Sequence, residues 1–577
     1  MKRKVRYALF LWAILAVAVR DHAGATALDD YIAAPDTTYD WSLEETITDT
    51  GYTAYMIDLK SQTWRSSSEV DRTLWQHWMT IVVPNDLSTT DTAFLIIDGG
   101  DNLDPMDPIP APDDLAIQTA IFSESVVVHI PTIPNQELTF LDDNIARDED
   151  SLIAYTFDKF LDGGDNYWPA LLPMVKSAVK AMDASQEFLA DDMGENLDIT
   201  NFVVGGASKR GWTTYLTGAV DPRVSAITPV VFDVLNMGEQ IPHHKAIYQD
   251  SGAPGLVGGY SAAIADYVAF NVFDRIITPQ GIALGAIVDP YQYRDRLDMP
   301  KYLVNSAGDE FFVTDSARFY IDDLVGPTYL RYVPNTGHDL NEDAINGVGL
   351  FYKALLDGTP LPEYSWTVED NGQTIRLNTV TAPVAVNMWE ATNDTNRDFR
   401  YPVFGAQWTS SPLSDLGGGE YLAQVTAPGS GAKAFLIEMI YNVGGLPLTF
   451  TTQVSVVPVL HQGDVDIDGN VDFQDFLMLQ AGYAMTSGAR RSDGDLDADG
   501  DVDFQDFLIL QANYFFQATD AGDAGNAGIG VAVPEPDSAA LVIGALATLL
   551  VVHPLGRVAR TALLSGRRSR ERHLSQR

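Results

Sequence analysis

Short runs of β-branched and aromatic residues, closed by Gly, Pro, Asn or Asp, alternate along this chain with longer stretches of helical apolar spacing. Segments 74–84, 92–97 (TAFLII), 125–131, 202–204, 226–233, 301–305 and 329–333 read as strands. Segments 150–161 and 168–189 read as helices, the second placing Leu171, Leu172, Val175, Val179 and Met182 on one face. We place that helix beside strand 202–204. Strands alternating with helices predict a doubly wound, mostly parallel sheet of the α/β class. Before them, 28–66 reads as a leading segment with scattered aromatics such as Tyr31, Tyr39 and Trp41. Residues 240–288 are rich in Gly and Ala and suggest a lid of helices. From Tyr364 the period changes to two, with turn residues between the runs, and predicts a small antiparallel β-sandwich.

One strand end carries the chemistry. Phe202-Val203-Val204 runs into Gly205-Gly206-Ala207-Ser208-Lys209-Arg210-Gly211, and a helix-compatible stretch follows. Strand, glycine-flanked serine and helix form the setting of a nucleophile elbow, a strained turn that exposes the serine Oγ. Gly206 stands two before Ser208; Gly211 stands three after it, one further than in G-x-S-x-G. Two later strands open into Gly308-Asp309-Glu310 and Pro334-Asn335-Thr336-Gly337-His338. The order Ser208, Asp309, His338 is the nucleophile, acid and base order of α/β-hydrolases. Each lies past a strand C-terminus, where the loops of an open α/β sheet converge. His338 would take the serine proton, and Asp309 would hold the imidazole in one tautomer. Asp233, which also follows a strand, and Glu310 are rival acids. The expected oxyanion donors are the Lys209 backbone N–H and one from Gly99 or Gly100, after strand 92–97. Lys209 and Arg210 read either as surface charges or as pocket groups favouring an anionic substrate. His77 reads as a cross-strand polar residue, and His243 and His244 as surface or substrate-facing histidines rather than metal ligands.

Length predicts about three to four domains. The formal charge of −43 excludes nucleic acid as a partner. With no cysteine, disulfides, thiolate catalysis and Cys-ligated zinc are excluded. A basic start (Lys2, Arg3, Lys4, Arg6), an apolar run 7–19 and small-x-small sites at 23–27 read as a secretory signal peptide, 1–27. The alternative is an uncleaved anchor. At the other end, Pro534-Glu535-Pro536, an apolar run 539–552 and an arginine cluster (Arg557 to Arg572) follow one another. The apolar run is short of the ~20 residues of a full span. This order resembles a PEP-CTERM sorting tail, 533–577. It implies export, transient membrane anchoring and processing by an exosortase; a plain C-terminal anchor is the alternative.

Several separated blocks carry a wider resemblance. Gly-Ala-Ser-Lys-Arg-Gly-Trp-Thr-Thr, Ala219-Val220-Asp221-Pro222-Arg223-Val224, Trp75-Gln76-His77-Trp78, Gly308-Asp309-Glu310-Phe311-Phe312 and Pro334-Asn335-Thr336-Gly337-His338 are similar to the PhoPQ-activated pathogenicity-related protein family. The resemblance spans about residues 31–458. It implies an α/β-hydrolase domain, 28–362, with Ser208, Asp309 and His338 in the triad roles and no cofactor, followed by a β-sandwich appendage, 363–458. It implies no particular substrate. The elbow also resembles that of glucuronoyl esterases, so the readings are a serine hydrolase of an unknown ester or amide, a carbohydrate esterase, or a non-catalytic surface protein on the same scaffold.

An acidic motif closes the pattern. Asp464, Asp466, Asp468, Asn470 and Asp475 are matched 31 residues on by Asp495, Asp497, Asp499, Asp501 and Asp506. Carboxylates at loop positions 1, 3, 5 and 12, Gly at 6 and a carbonyl at 7 fit calcium. Each loop precedes one helical stretch, 473–481 and 504–512. The module, 462–516, resembles a type I dockerin, which implies a cohesin-type or cell-surface partner. A Gly/Ala/Asp linker, 517–532, leads to the tail.

Overall fold

The computed structural model describes residues 25–514, without 103–108, 192–194, 250, 467–469 and 498. The signal peptide through residue 24, the linker, the sorting tail and Asp468 therefore lie outside the described residues. Among the described residues no helix is long and apolar enough to cross a membrane.

The chain opens with helix α1 (Ala27–Ala33), capped by Thr26, and strands β1 (Asp40–Asp49), β2 (Tyr52–Thr63), β3 (Leu74–Pro84), β4 (Thr92–Ile97) and β5 (Val126–Ile130), with α2 (Asp114–Ser123) before β5. A small ladder, β6 (Leu138–Phe140) and β7 (Ile145–Arg147), stands apart. Helices α3 (Glu149–Leu161) and α4 (Leu171–Leu189) lead to β8 (Asn201–Ala207), α5 (Lys209–Val220) and β9 (Val224–Val230). Next comes a cap: α6 (Met237–Tyr248), the hairpin β10 (Leu256–Val257) and β11 (Tyr260–Ser261), then α7 (Ala265–Ala269), α8 (Val272–Arg275) and α9 (Pro279–Val288). Strand β12 (Lys301–Ser306), β13 (Thr328–Val333) and α10 (Glu342–Leu356) complete the first part.

Nine strands form one sheet in the order β1-β2-β3-β5-β4-β8-β9-β12-β13. From β5 to β13 every pairing is parallel; β1, β2 and β3 add on antiparallel. This is a mixed α/β fold with a large, mostly parallel sheet. Helices cover both faces, so β5 and β12 are buried at every position, as parallel strands must be. Sequence reading placed α4 beside the elbow strand. It packs instead on β2, β3, β4 and β5 and reaches the elbow region through α5. It also read 28–66 only as a leading segment, where the structure has β1 and β2. Their residues alternate weakly because β1 is a half-exposed edge, blunted by Glu44 and Glu45.

After α10 come two antiparallel sheets. One joins β14 (Tyr364–Glu369), β15 (Thr374–Thr379) and β18 (Glu420–Gln424). The other joins β16 (Ala385–Asn393), β17 (Thr409–Pro412), β19 (Ala432–Val443), β20 (Leu446–Thr451) and β21 (Ser455–Val457). The short helix α11 (Tyr401–Phe404) interrupts them. Ile375 and Leu377 of the first sheet share a buried cluster with Phe435 and Ile437 of the second and with Tyr302 and Phe351 of the main sheet region. Helices α12 (Phe473–Gly482) and α13 (Phe504–Asn513) follow the acidic loops, each started by an aspartate capping box.

Candidate active site

Ser208 sits between β8 and α5 with φ 57° and ψ −123°, a conformation a side chain adopts only when the surroundings enforce it. Two bonds do so: Ser208 N–H donates to Val230 O at 2.8 Å, and Trp212 N–H donates to Ser208 O at 3.0 Å. Glycine is required on both sides. A Cβ on Gly206 would lie 2.8 Å from Arg210 O, and one on Gly211 would lie 2.9 Å from Val230 O. The shifted position of Gly211 therefore serves the crossing of α5 over β8 and β9, not the turn itself.

Asp309 and His338 meet. Asp309 places both carboxylate oxygens on His338 Nδ1, at 3.0 and 2.9 Å. Asp309 is buried, and Oδ1 also accepts the Phe311 N–H at 2.8 Å. Glu310 accepts the His338 backbone N–H at 2.7 Å, so it positions the loop rather than the ring. The other rival, Asp233, accepts hydroxyl donations from Tyr320 and, at 2.5 Å, from Tyr332. Burial pushes its carboxyl up to about 8, against the pull of those two bonds. Among the described residues Ser208 Oγ has no hydrogen-bond partner, so the serine-to-histidine link is open in this conformation. Such links often tighten only with substrate bound.

Of the proposed oxyanion donors, Lys209 N–H is the first of α5 and lacks a partner within the helix. Gly99 N–H donates to Asp98 Oδ1 at 2.7 Å. Gly100, at φ +119°, is exposed and has no backbone partner among the described residues, so it is the open donor of that loop. A Cβ on Gly99 would strike the Arg210 guanidinium at 2.8 Å.

Two expectations change. Lys209 and Arg210 are buried rather than surface charges; Lys209 lines the cavity beside Ser208, and both are paired with carboxylates. Arg210 forks onto Glu149 at 2.8 and 2.6 Å, and Lys209 Nζ lies 2.8 Å from Asp150 and 3.1 Å from Glu149. Burial pushes the Glu149 carboxyl up, but the Arg210 bond and charge outweigh it and hold the group at about 2. The serine's flanking charges are thus already neutralised. His243 and His244 are buried, not on the surface, and His244 lines the cavity that also holds Ser208, as the substrate-facing alternative expects. His243 Nε2 bonds Asp315 Oδ1 at 2.8 Å, a carboxylate too far along the chain for spacing to reveal. His77 is a core residue, between Ser61 Oγ at 3.0 Å and Pro131 O at 3.1 Å.

A cavity of about 90 Å³ opens beside Ser208. Trp212 and Phe232 line it from the sheet side, Tyr267, Phe273 and Leu284 from the cap. Phe311 and Phe312 belong to the same wall and pack on His338, with ring centroids 4.3 and 6.0 Å away. Trp212 Nε1–H donates to Val288 O at 2.5 Å and fastens α5 to the end of α9. The expected lid of helices thus roofs the cavity. Sequence reading missed Glu149 and Asp150, whose only signal is acid at a helix start, an ordinary dipole pattern. It also gave Phe311 and Phe312 no role, though they directly follow the acid.

The acidic side chains form three clusters among the described residues, and in the second loop Asp506 groups with Asp501 and Asp503 rather than with the loop's first three aspartates. Carboxylate oxygens of Asp464, Asp466 and Asp475 lie within 4.8 Å of one another, as do those of Asp495, Asp497 and Asp499, and of Asp501, Asp503 and Asp506. Asp495 Oδ2 accepts Gly500 N–H at 3.0 Å, while its buried Oδ1 has no partner. Burial, together with like charge from Asp506 and Asp499, holds Asp495 at about 6 and Asp497 at about 7. Such a set of oxygens fits a hard cation. Gln249, just past α6, also donates to Asp495 Oδ2 at 3.0 Å.

A serine on a strained strand-to-helix turn, a paired imidazole and carboxylate past later strands, and a mostly parallel sheet define an α/β protein built on the hydrolase plan. The chain belongs to the PhoPQ-activated pathogenicity-related protein family, whose model matches residues 28–400. Autocrine proliferation repressor protein A of Dictyostelium discoideum is 38% identical over 464 residues, covering 75% of this chain and 91% of that protein. Among solved structures, acetyl xylan esterase 1 from Thermoanaerobacterium sp. JW/SL YS485 is 12% identical, with a TM-score of 0.38 over 57% of this chain and 91% of its own. A glucuronoyl esterase from Solibacter usitatus is 11% identical, with a TM-score of 0.33 over 57% and 90%. Likenesses this slight transfer no substrate.

Proposed function

We propose that this protein is a serine hydrolase that cleaves an ester or amide through an acyl-enzyme. The observation that carries the reading is the two-oxygen grip of Asp309 on His338 Nδ1, past the sheet end that also bears the strained Ser208. With Nδ1–H fixed on the carboxylate, Nε2 is left as the acceptor. Ser208 Oγ attacks the carbonyl carbon as its proton passes to Nε2. The proton then goes to the leaving alcohol or amine as the C–O or C–N bond breaks. Water repeats the sequence, releasing the acid and restoring the serine. The backbone N–H groups of Lys209 and Gly100 are the donors for the oxyanion. A fluorophosphonate probe tests this: labelling that disappears in Ser208→Ala is expected. Absence of labelling in folded protein would reject it.

The second reading, a non-catalytic surface or interaction protein, is favoured by the open Ser208–His338 link and by a relative named as a repressor of proliferation. The same probe separates the two. A screen of alkyl, aryl and glycan esters would then test the narrower carbohydrate-esterase reading.

We also propose that both acidic loops hold calcium, through Asp464, Asp466, Asp468, Asn470 and Asp475 and through Asp495, Asp497, Asp499, Asp501 and Asp506. Paired, charge-repelling carboxylates and the orphaned Asp495 Oδ1 support this. The ion's contribution would be structural, with no part in the reaction. Export by the signal peptide, processing of the tail by an exosortase and docking to a cohesin-type or cell-surface partner complete the proposal. Mass spectrometry of the cell-surface fraction tests the processing: intact tail residues on the mature chain would count against it.

A further inference from the structure

The cavity beside Ser208 is apolar over most of its wall, yet two of its polar side chains have nothing to bond. Both ring nitrogens of His244 and the Oγ of Ser316 are buried without a hydrogen-bond partner, and both residues line the cavity. The residues are 5% and 1% exposed. The Phe311 backbone lies close enough to His244 to offset slightly the lowering that burial imposes on the ring, but outside hydrogen-bond geometry. The elements that carry the two groups are fastened by their chain neighbours. The His243–Asp315 bond fastens α6 to the turn Ser316–Phe319. The His244 ring is held by packing, edge-on to Tyr248 at 4.7 Å and stacked with Tyr260 at 5.6 Å.

Buried polar groups are almost always paired, so two unpaired ones on one cavity wall are a feature that asks for a ligand. A neutral imidazole offers one donor and one acceptor, and a serine hydroxyl offers both. A ligand hydroxyl, both donor and acceptor, can satisfy either group. The surrounding rings, Trp212, Phe232, Phe273 and Phe311, suit a flat apolar body. We propose that His244 and Ser316 form a hydrogen-bonding subsite that selects substrates whose aryl group carries a hydroxyl. This inference rests on the hydrolase reading for its substrate class, but its binding test does not.

The test uses methyl 4-hydroxyphenylacetate and methyl phenylacetate. Calorimetry on full-length Ser208→Ala measures binding without turnover, and the wild type supplies kcat/KM. The hydroxylated ester is expected to win by about tenfold or more in both, because the site left empty of a partner penalises the plain analogue. Adding Ser316→Ala, or separately His244→Phe, should bring the ratio toward one, with KM moving more than kcat. Equal binding of the two esters, no binding of either to folded protein, or a ratio unchanged in both variants would overturn the subsite. A hydroxyl preference in binding that persists without turnover or probe labelling would sustain the subsite and reject the hydrolase reading.

Discussion

Replacing Asp309 by Asn changes one heavy atom and tests the relay at its most buried point. In the wild type, both carboxylate oxygens accept from His338 Nδ1–H, at 3.0 and 2.9 Å. An amide cannot do the same, because its NH₂ must find an acceptor, and Nδ1 is the atom it faces. The proton then moves to Nε2, where the ring can no longer accept from Ser208. Changes of this kind cost about four decades in kcat, or about 5–6 kcal/mol of barrier. The fold should survive, since Asn keeps the volume and its carbonyl can still accept the Phe311 N–H now 2.8 Å away. The assay is turnover of an ester that the wild type cleaves, beside circular dichroism to confirm folding. Asp233→Asn is the control: Tyr320 and Tyr332 hold that carboxylate, so turnover should be kept within a few-fold. A folded Asp309→Asn enzyme within tenfold of wild type would refute the assignment, and a collapse confined to Asp233→Asn would transfer it.

Glu149→Gln should cost roughly 1–3 kcal/mol in urea unfolding at pH 7, because Arg210 loses its charged partner. The wild type should also lose stability as pH falls from its ordinary value of 4.5 toward about 2, where Glu149 takes up its proton in the fold, and the variant should lack that component. A variant with an unchanged acid profile would refute the pairing energetics. Asp233 works in the opposite sense: held up at about 8 from 3.8, it favours the folded state most at low pH, and that contribution drains away as pH rises through this window. Asp233→Asn should flatten the decline in melting temperature between those limits; an identical slope would contradict a neutral buried carboxyl. Calcium should raise the melting temperature, and excess chelator should remove helical circular dichroism from the 473–513 region. No change with chelator would count against cation binding.

What the sequence made legible follows from how locally each feature is written. Strand β4 matches TAFLII residue for residue, because a short apolar run bounded by Asp and Gly has few other readings. Asp309 and His338 could be paired in advance because a known chemical order fixes which strand ends must meet, whatever the intervening chain does. The acidic loops were equally plain as a repeat, since their aspartates sit within a dozen residues of one another. Contacts between distant segments were not legible. Glu149 reaches Arg210 across 61 residues, and His243 reaches Asp315 across 72, so no window of sequence contains either pair. Nor could spacing reveal that Asp98 occupies the Gly99 N–H, which left Gly99 and Gly100 equivalent until the backbone was seen.

The cap that roofs the cavity is one uninterrupted insertion between β9 and β12, whereas Ser208, Asp309 and His338 all lie outside it. Part of the cavity wall is therefore encoded on a length of polypeptide separate from the three proposed reacting residues, while Trp212, Phe311, Phe312 and Ser316 complete it from outside. Drift within the insertion can recut the shape of what is admitted while the proton-handling atoms keep their places on the sheet. Relatives that share the elbow can accordingly diverge in diet without relearning the chemistry.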